Sequence, residues 1–398
     1  MVSQRRIPIV VAMYGVTMAH IAMVVSNACA PDPRVLRHAS WLVKDGHTVE
    51  VHAFDRQQNH PHSDVINGVD ILRYHGMKTP YGGLLNTARG LRRFGKEVIH
   101  ELSKKPPDAV YCHDADTLHI GCVLKKKNDI NLIFDMHDLH HTWVRMPNPD
   151  SRIRAFIANR LENRMLRHIS MADLIYTSSG KIEKNTVHDG FREYLLKHGI
   201  QSHVIENRPQ KASTAKKVPV RSWCVGYLGR VRDVKAFDLL IESLLLMNVE
   251  ERPTLRIAGD GTATKAVSTL LKNAQRKYGI LSQITGAYGA EDYPTLIQDI
   301  DVMFAMYQPE RGNIEHGALP VKMFDAAAYG VPSVVNDDCL MGEVATTEKL
   351  GIAVPWMNSS KLRDALLQLR DYQVEMFVYA EHEKEKFLSS FQTLGLLK

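Results

Sequence analysis

Two patterns of apolar residues alternate along the chain. Short apolar runs, such as HIAMVVSN (20–27) and NLIFDMHD (131–138), are typical of buried strands. Longer stretches between them, such as LLNTARGLRRFGKEVIHELSKK (84–105), carry apolar residues three and four positions apart and predict amphipathic helices. Strands that alternate with helices in this way predict a doubly wound parallel sheet.

The alternation is interrupted once. NRPQKASTAKKVPVRS (207–222) is polar, basic and broken by prolines, which indicates a linker. The strand and helix pattern restarts at WCVGYLG (223–229). We therefore predict an α/β protein with two Rossmann-like, doubly wound domains. The predicted parts are an N-terminal extension (1–17), an N-terminal domain (18–208), a C-terminal domain (209–375) and a terminal helix (376–398) that packs back on the N-terminal domain.

The N-terminus allows two interpretations. RRIPIVVAMYGVTMAHIAMVVSN (5–27) places two arginines before an apolar run, as a signal anchor does. Pro8, Gly15 and His20 interrupt that run, so it is a poor spanning helix. We interpret residues 1–17 as an extension before the first strand, and a membrane anchor is the alternative.

Composition narrows the functional classes. The chain has 398 residues and a formal net charge of +6, which suits an anionic ligand but is too small to indicate nucleic-acid binding. Its five cysteines form no CxxC pair, which favours reduced thiols in the cytoplasm. Basic helices around 89–96 and 152–167 have two interpretations, a peripheral contact with an anionic membrane or a solvated helix face.

One strand–helix turn carries two fixed positive charges. In CVGYLGRVRDVKAF (224–237), Arg230 follows Gly229 at the end of a strand, and Lys235 stands where a helix begins. A guanidinium and an ammonium both suit phosphate oxygens. A solvated basic turn is the alternative. No G-x-G-x-x-G follows the first strand, so simple NAD binding in the N-terminal domain is not expected.

A second loop–helix junction lies in HGALPVKMFDAAAYGVPSVV (316–335). Pro320 favours a helix start, and Gly317 would let a ligand approach the backbone. Lys322 and Asp325 fall on the same side of that helix. A short carboxylate beside a phosphate site suits ribose hydroxyls, although an Asp in a first helical turn also favours the helix dipole.

These stretches, together with LRIAGDG (255–261), resemble the retaining GT-B glycosyltransferases of family four, the glycosyltransferase group 1 type. The N-terminal half is similar to the acceptor domain of that family in NACAPDPRVLRHASWLVKDGHTVEVHAF (27–54) and VYCHDADTL (110–118). The resemblance implies the GT-B fold, in which two Rossmann-like domains face a central cleft. It also implies transfer of a sugar from a nucleotide-diphosphate sugar to a glycan or lipid-linked glycan, with retention of configuration and without a cofactor.

The resemblance also assigns residues. Arg230 and Lys235 would bind the donor diphosphate, Asp325 the ribose, and His113 the donor sugar near its reacting carbon. The rest of the predicted donor site is Gly229, Gly286, Gly317, Leu319, Pro320, Val321 and Lys322. The candidates on the acceptor side are Asp32, Arg34 and His137, and for Asp32 and Arg34 capping of the following helix is the alternative.

One departure leaves alternatives open. Many family members carry two glutamates separated by seven residues, and the corresponding positions here are Gly317 and Asp325, with Glu315 out of register. A nucleotide-sugar epimerase of the same architecture and a GT-B binding scaffold without turnover are therefore alternatives. No metal is predicted, because the Asp114–Ala–Asp116 match to DxD is very short and the histidines near His137 lack a partner at metal-site spacing.

Overall fold

The computed structural model describes residues 18–396, except 77, 80–83, 146–147, 149, 183–185, 213–222 and 310–311. The predicted extension 1–17 and most of the predicted linker lie outside the described residues.

The first sheet lies in the N-terminal half. Its order among the described strands is β3-β4-β2-β1-β5-β6-β7-β8, and all neighbours are parallel except the antiparallel pair β3 and β4. The strands are β1 (His20–Val25), β2 (Thr48–Phe54), β3 (Ser63–Ile66), β4 (Val69–Tyr74), β5 (Ala109–His113), β6 (Asn131–Met136), β7 (Leu174–Thr177) and β8 (His203–Val204).

The second sheet is parallel in the order β11-β10-β9-β12-β13-β14. Its strands are β9 (Cys224–Leu228), β10 (Thr254–Ala258), β11 (Ser282–Thr285), β12 (Val302–Ala305), β13 (Ser333–Asn336) and β14 (Gly351–Val354). Two parallel α/β sheets confirm the predicted fold class.

Helices cover both sheets. Those of the N-terminal half are α1 (Pro33–Lys44), α2 (Leu84–Lys104), α3 (Leu118–Asn128), α4 (His140–Arg145), α5 (Arg152–Ile169) and α6 (Phe191–Leu196). Those that follow are α7 (Lys235–Leu245), α8 (Thr264–Tyr278), α9 (Tyr293–Ile297), α10 (Gly312–Glu315), α11 (Val321–Ala328), α12 (Leu340–Thr347), α13 (Ser359–Leu369) and α14 (Ala380–Gln392). Single 3-10 turns occupy Val249–Glu251 and Ala290–Asp292.

The central strands are buried on both faces, as their continuous apolar runs predict. In β1 every residue after His20 is buried. The last helix, α14, belongs to the same core, because Phe387 and Phe391 pack with Met23 and Trp41 of the N-terminal domain. The chain thus crosses back to its first domain after completing the second sheet.

Polar contacts, from partly buried to exposed, join the two domains. Arg208, at the domain junction, donates to both carboxylate oxygens of Glu348 at 2.6 Å, and its guanidinium lies 3.9 Å from the centre of the Phe324 ring. Asn313 of α10 donates to Asp138, which precedes α4. Glu343 of α12 accepts a hydrogen bond from the Val187 backbone at 2.8 Å. These contacts hold the carboxyl ends of the two sheets at one cleft.

Candidate donor and acceptor sites

The donor-side turn is made by two glycines. Gly229 directly follows β9 with φ of 133°, and Gly259 directly follows the neighbouring strand β10 with φ of 132°. A Cβ on Gly259 would lie 2.0 Å from the Gly229 carbonyl oxygen, so only glycine permits this approach. The turn brings Arg230 beside Asp260, and Arg230 Nη1 lies 3.0 Å from Asp260 Oδ1.

Arg230 and Lys235 are both accessible to a ligand. The Arg230 side chain is 69% exposed, and its Asp260 partner is 56% exposed. Lys235 is also exposed, and it is the first residue of α7. An exposed ion pair is worth only about 0–1 kcal/mol, so a diphosphate could displace Asp260 from Arg230 at little cost.

Lys322 adds a third positive charge at this turn. A Cβ on Gly229 would lie 3.5 Å from Lys322 Cε, so the Lys322 side chain lies beside the Gly229 turn. The Lys322 side chain is buried, and its Nζ lies 3.2 Å from the centre of the Tyr227 ring. The contact joins the end of β9 to the first turn of α11, as expected if both junctions serve one ligand.

Asp325 lies one turn further along α11 and is partly buried. Burial raises the pKa of this carboxyl to about 7, while the positive charge of Arg37 acts in the opposite direction. Arg37 belongs to α1 of the N-terminal domain, so charge interactions already cross the cleft at this point. Burial raises the pKa of Tyr288 and Tyr293, and the negative charge of Asp325 raises both values further.

The remaining donor-side candidates have different surroundings. A Cβ on Gly286 would meet no atom within 4 Å, whereas the Leu319 side chain is buried in the C-terminal core. Pro320 is the N-cap of α11, and the Val321 side chain is exposed. Leu319 could therefore reach a donor only through its backbone.

Gly317 has a role that the sequence does not reveal. Its φ is 85°, and a Cβ there would lie 2.1 Å from the Asp189 carbonyl oxygen of the N-terminal domain. In the direction of a Cβ, the backbone that approaches Gly317 is therefore that of the neighbouring domain, and the approach of a ligand to this glycine stays a prediction. The same contact leaves no room for a glutamate side chain at this position.

On the acceptor side, Arg34 is buried and hydrogen-bonded within the N-terminal domain. Its Nε and Nη2 donate to the two oxygens of Asp135 at 2.6 Å, and its Nη1 donates to the Ile205 carbonyl at 2.7 Å. Three of the Arg34 nitrogens are therefore already hydrogen-bonded, and a contact between Arg34 and an acceptor stays a prediction. Asp32 accepts a hydrogen bond from the Val35 backbone and caps α1, which matches the alternative interpretation of that residue.

Asp135 is the centre of the acceptor-side cluster. It is fully buried in β6, next to His113 at the end of β5. Burial opposes its ionisation, but Arg34, the hydrogen bond with His113 and the nearby ring of His137 outweigh that effect and hold the Asp135 pKa well below its usual range. A buried carboxylate with a bidentate arginine is a fixed negative charge against which neighbouring histidines can be oriented.

His113 uses one ring nitrogen and leaves the other unpaired. Its Nδ1 lies 3.2 Å from Asp135 Oδ2, while its buried Nε2 has no hydrogen-bond partner among the described residues. Because ionised Asp135 can only accept, His113 Nδ1 carries a proton and is the donor of this bond. An unpaired buried nitrogen costs stability unless a ligand satisfies it.

His137 belongs to a second charged group at the same edge. Its Nε2 lies 3.0 Å from Asp114 Oδ2, and His140 Nε2 lies 3.7 Å from the same oxygen. Burial would lower the pKa of both histidines, but the Asp114 carboxylate raises that of His137 well above its usual range, and Asp116 with Asp114 raises that of His140 to about 9. Both are therefore cationic at neutral pH.

One group within the described residues could geometrically hold a metal ion. His113, Asp135 and His137 each offer a ligand atom, and these atoms lie within 4.8 Å of one another. Both Asp135 oxygens already accept hydrogen bonds from Arg34. A cation bound there would have to compete with this guanidinium, so the donor set fits a metal poorly.

Two family models match the chain. The model described as "Glycosyl transferase 4-like domain" matches residues 30–208, and the model described as "Glycosyl transferases group 1" matches residues 223–371. Together they span most of the sequence. The chain belongs to the group 1 glycosyltransferases of GT-B fold.

Known proteins agree with this assignment at low identity. This group 1 chain is 22% identical over 259 residues to a glycogen synthase from Pelodictyon phaeoclathratiforme, an alignment that covers 59% of this chain and 51% of that protein. The chain thus spans about half the length of the curated relative it matches.

Solved structures show the same fold. Sucrose-phosphate synthase from Thermosynechococcus elongatus is 13% identical with a TM-score of 0.67, and the match covers 95% of this chain and 96% of that one. Anabaena HepE, solved with UDP and glucose, is 16% identical with a TM-score of 0.58 and coverages of 95% and 97%.

Sequence reasoning about this group 1 chain missed Asp135 and Arg37. Asp135 stands inside the apolar strand LIFDM, and a charged residue in such a strand indicates a buried partner. That partner, Arg34, is 101 positions away in sequence. Arg37 carries no local signal, since it is one of several basic residues in α1.

Proposed function

We propose that this chain transfers a hexosyl-type sugar from a nucleotide-diphosphate sugar to a hydroxyl of a glycan or lipid-linked acceptor, with retention of configuration and in the assembly of a polysaccharide or glycoconjugate. The observation that carries the proposal is the convergence of Arg230 and Lys322 on the Gly229 turn, with Lys235 beginning the next helix. Three cations at the carboxyl ends of parallel strands suit a diphosphate.

The cations would act on the leaving group. As the bond between the sugar C1 and the phosphate oxygen breaks, negative charge grows on the diphosphate. Arg230 and Lys235 would stabilise this charge more strongly in the transition state than in the bound donor. In this proposal the protein's own cations carry that task, and no metal takes part. The two electrons of the breaking bond leave with the diphosphate, whose oxygen would assist removal of the acceptor proton.

The N-terminal domain would orient the sugar. Asp135 keeps the proton of His113 on Nδ1, so Nε2 can accept a hydrogen bond from a sugar hydroxyl near the reacting carbon. Asp325 would bind the ribose, because its carboxyl lies on α11 one turn beyond Lys322. The proposal thus uses one domain for the nucleotide and the other for the transferred sugar and the acceptor.

Nucleotide titration tests the proposal. Calorimetry with UDP, GDP and ADP, and with their sugars, should identify one base that binds, and Arg230→Ala should weaken that binding. A matched control is Lys272→Ala, which removes one exposed charge from α8 away from the turn. Equal binding of the nucleotide by the wild type and Arg230→Ala would contradict the diphosphate site.

A binding scaffold without turnover is the second candidate, and Gly317 favours it. The position at which many relatives carry a glutamate is closed here by the Asp189 backbone. Product analysis separates the candidates once the donor is known. Slow hydrolysis of the donor without acceptor indicates a transferase, an epimerised nucleotide sugar indicates an epimerase, and binding with no product indicates the scaffold.

A further inference from the structure

Helix α5 exposes an apolar stripe. Ile153 is 74% exposed, Phe156 66%, Ile157 37% and Leu161 41%. Their spacing of i, i+3, i+4 and i+8 places all four on one side of the helix. The opposite side, including Ala158, Met165 and Ile169, is buried against the domain. Soluble proteins seldom expose contiguous apolar side chains in this way without a binding partner.

The same helix is strongly basic. It carries five arginines, at positions 152, 154, 160, 164 and 167, against one acidic residue, Glu162. Arg160, Arg164 and Arg167 are exposed and fall within the same outward arc as the apolar stripe. Glu162 is only partly exposed and accepts a hydrogen bond from Tyr194. The outward face therefore combines apolar contact area with net positive charge.

A cavity borders this face. Its volume is about 700 Å³, and Leu161 and Arg164 belong both to its lining and to the exposed side of α5. It is bounded by α2, α3, α4 and α5. The lining includes the apolar Leu91, Leu161 and Met165 and the basic Arg92, Arg164 and His140. His140 lies 3.7 Å from Asp114, so the cavity adjoins the charged group at the carboxyl end of β5.

We propose that the outward face of α5, defined by Ile153, Phe156, Ile157, Leu161 and its exposed arginines, docks on an anionic lipid bilayer. The apolar side chains would enter the interface between headgroups and acyl chains, and the arginines would contact lipid phosphates. Within the described residues no helix is long and apolar enough to span a membrane, so α5 would lie on the surface. The inference goes beyond sugar transfer, and binding can be measured without a donor.

The positive charge of the outward face of α5 favours an anionic bilayer over a second copy of the chain. A second copy of the chain docked through a two-fold contact would place the arginines of both helices against one another. An anionic bilayer supplies the opposite charge over the whole face, and long arginine side chains can keep their guanidinium groups at headgroup level.

Vesicle sedimentation of the full chain tests the proposal. We expect binding to vesicles of phosphatidylglycerol and phosphatidylcholine, and little binding to pure phosphatidylcholine. Arg152→Gln/Arg160→Gln/Arg167→Gln should reduce the partition coefficient on the order of 100-fold. Ile153→Ser/Phe156→Ser should reduce it about 10-fold or more. All five side chains are exposed, so the variants should fold.

Matched controls separate the face from overall charge. Lys265→Gln/Lys272→Gln/Arg276→Gln removes the same charge from exposed positions on α8, and Val249→Ser/Phe377→Ser removes exposed apolar side chains elsewhere. Both controls should bind vesicles like the wild type. The proposal is overturned if the wild type binds neither vesicle, if the α8 control loses as much binding as the α5 variant, or if light scattering shows a dimer that Ile153→Ser/Phe156→Ser dissociates.

Discussion

The carboxyl ends of the two sheets hold their charges in opposite ways. In the N-terminal domain, Arg34, Asp135 and His113 are buried, and Asp135 accepts hydrogen bonds from both of the others. In the C-terminal domain, Arg230 and Lys235 are exposed, and Arg230 has a solvent-exposed partner in Asp260. One edge of the cleft is therefore organised before any ligand arrives, while the other keeps two of its three named cations, Arg230 and Lys235, accessible.

The difference suggests a division of work. A buried ion pair fixes geometry but is worth little net stability, because desolvation offsets attraction. An exposed cation stays hydrated until a ligand phosphate displaces the water around it. The ion pair between cation and phosphate is then stronger, because less water screens it. On this view the N-terminal edge orients a sugar through a fixed histidine, and the C-terminal edge responds to charge that appears during the reaction.

The largest expected effect is on stability, from breaking the buried pair. Asp135→Asn keeps the size of the side chain but leaves Arg34 as an uncompensated buried charge, which should lower the free energy of unfolding by about 3–5 kcal/mol. Urea unfolding of the full chain measures it. Asp260→Asn is the matched control on the exposed pair and should cost about 0–1 kcal/mol. Similar losses from the two substitutions would remove the contrast between the edges.

The next effect is on turnover. Arg230→Ala and Lys235→Ala should each lower kcat/KM on the order of 10²-fold, because each removes a contact that strengthens as the leaving group gains charge. Both side chains are exposed, so the free energy of unfolding should stay within about 0.5 kcal/mol of the wild type.

A double-mutant cycle sharpens that expectation. Arg230→Ala/Lys235→Ala should lose less than the product of the single losses, since both cations would serve one diphosphate. Arg230→Lys should restore activity only in part, because an ammonium lacks the planar fork of the guanidinium. Near-normal kcat/KM in either single variant would place the diphosphate elsewhere.

The contrast between the buried N-terminal edge and the exposed C-terminal edge also explains which features the sequence could predict. Most of the strands and helices were readable from apolar spacing, and Arg230 with Lys235 from a local turn. β3 was not, because Ser63–Ile66 is short and half polar, with no side chain fully buried. β8 has only two residues. Such edge elements depend on their neighbours, which local propensity does not encode.

Long-range contacts limit how much of the candidate site can be predicted from the sequence. The Arg34–Asp135 pair joins α1 to β6 across 101 positions, and no spacing rule connects them. Gly317 shows the same limit from another direction, since its sequence suggested space for a ligand while the approaching group is the backbone of the other domain. A glycine reports that something comes close, but its sequence does not say what does.

A smaller effect should appear in the pH dependence of stability. The pKa of Asp325 is raised to about 7 in the folded protein, whereas an aspartate in the unfolded chain titrates near 3.9. Between about pH 4 and 7 the folded state therefore binds one proton more than the unfolded chain. The contribution of Asp325 to the free energy of unfolding is fully present below about pH 4 and is lost as the pH rises through about 7.

Asp325→Asn isolates that contribution. The variant should match the wild type near pH 4. Near pH 8 it should be more stable by about 1–3 kcal/mol, because the buried, ionised Asp325 destabilises the wild type. Urea unfolding at both pH values measures the difference. Asp364→Asn, at an exposed position on α13, is the control and should show no such dependence. A constant difference between wild type and Asp325→Asn at both pH values would contradict the raised pKa.

The smallest expected effect is that of removing metal ions. His113, Asp135 and His137 form a group whose ligand atoms could surround a cation, but Arg34 holds both Asp135 oxygens, and His137 is oriented by Asp114. A divalent ion would have to displace a guanidinium at 2.6 Å and a charged histidine, and the donor side already supplies cations for the diphosphate.

EDTA should therefore change kcat by less than about twofold. Elemental analysis of the wild type and His137→Asn should show the same metal content. Loss of activity in EDTA that Mn²⁺ restores, together with lower metal content in His137→Asn, would show that the buried edge of the cleft is a metal centre and not a fixed ion-pair cluster.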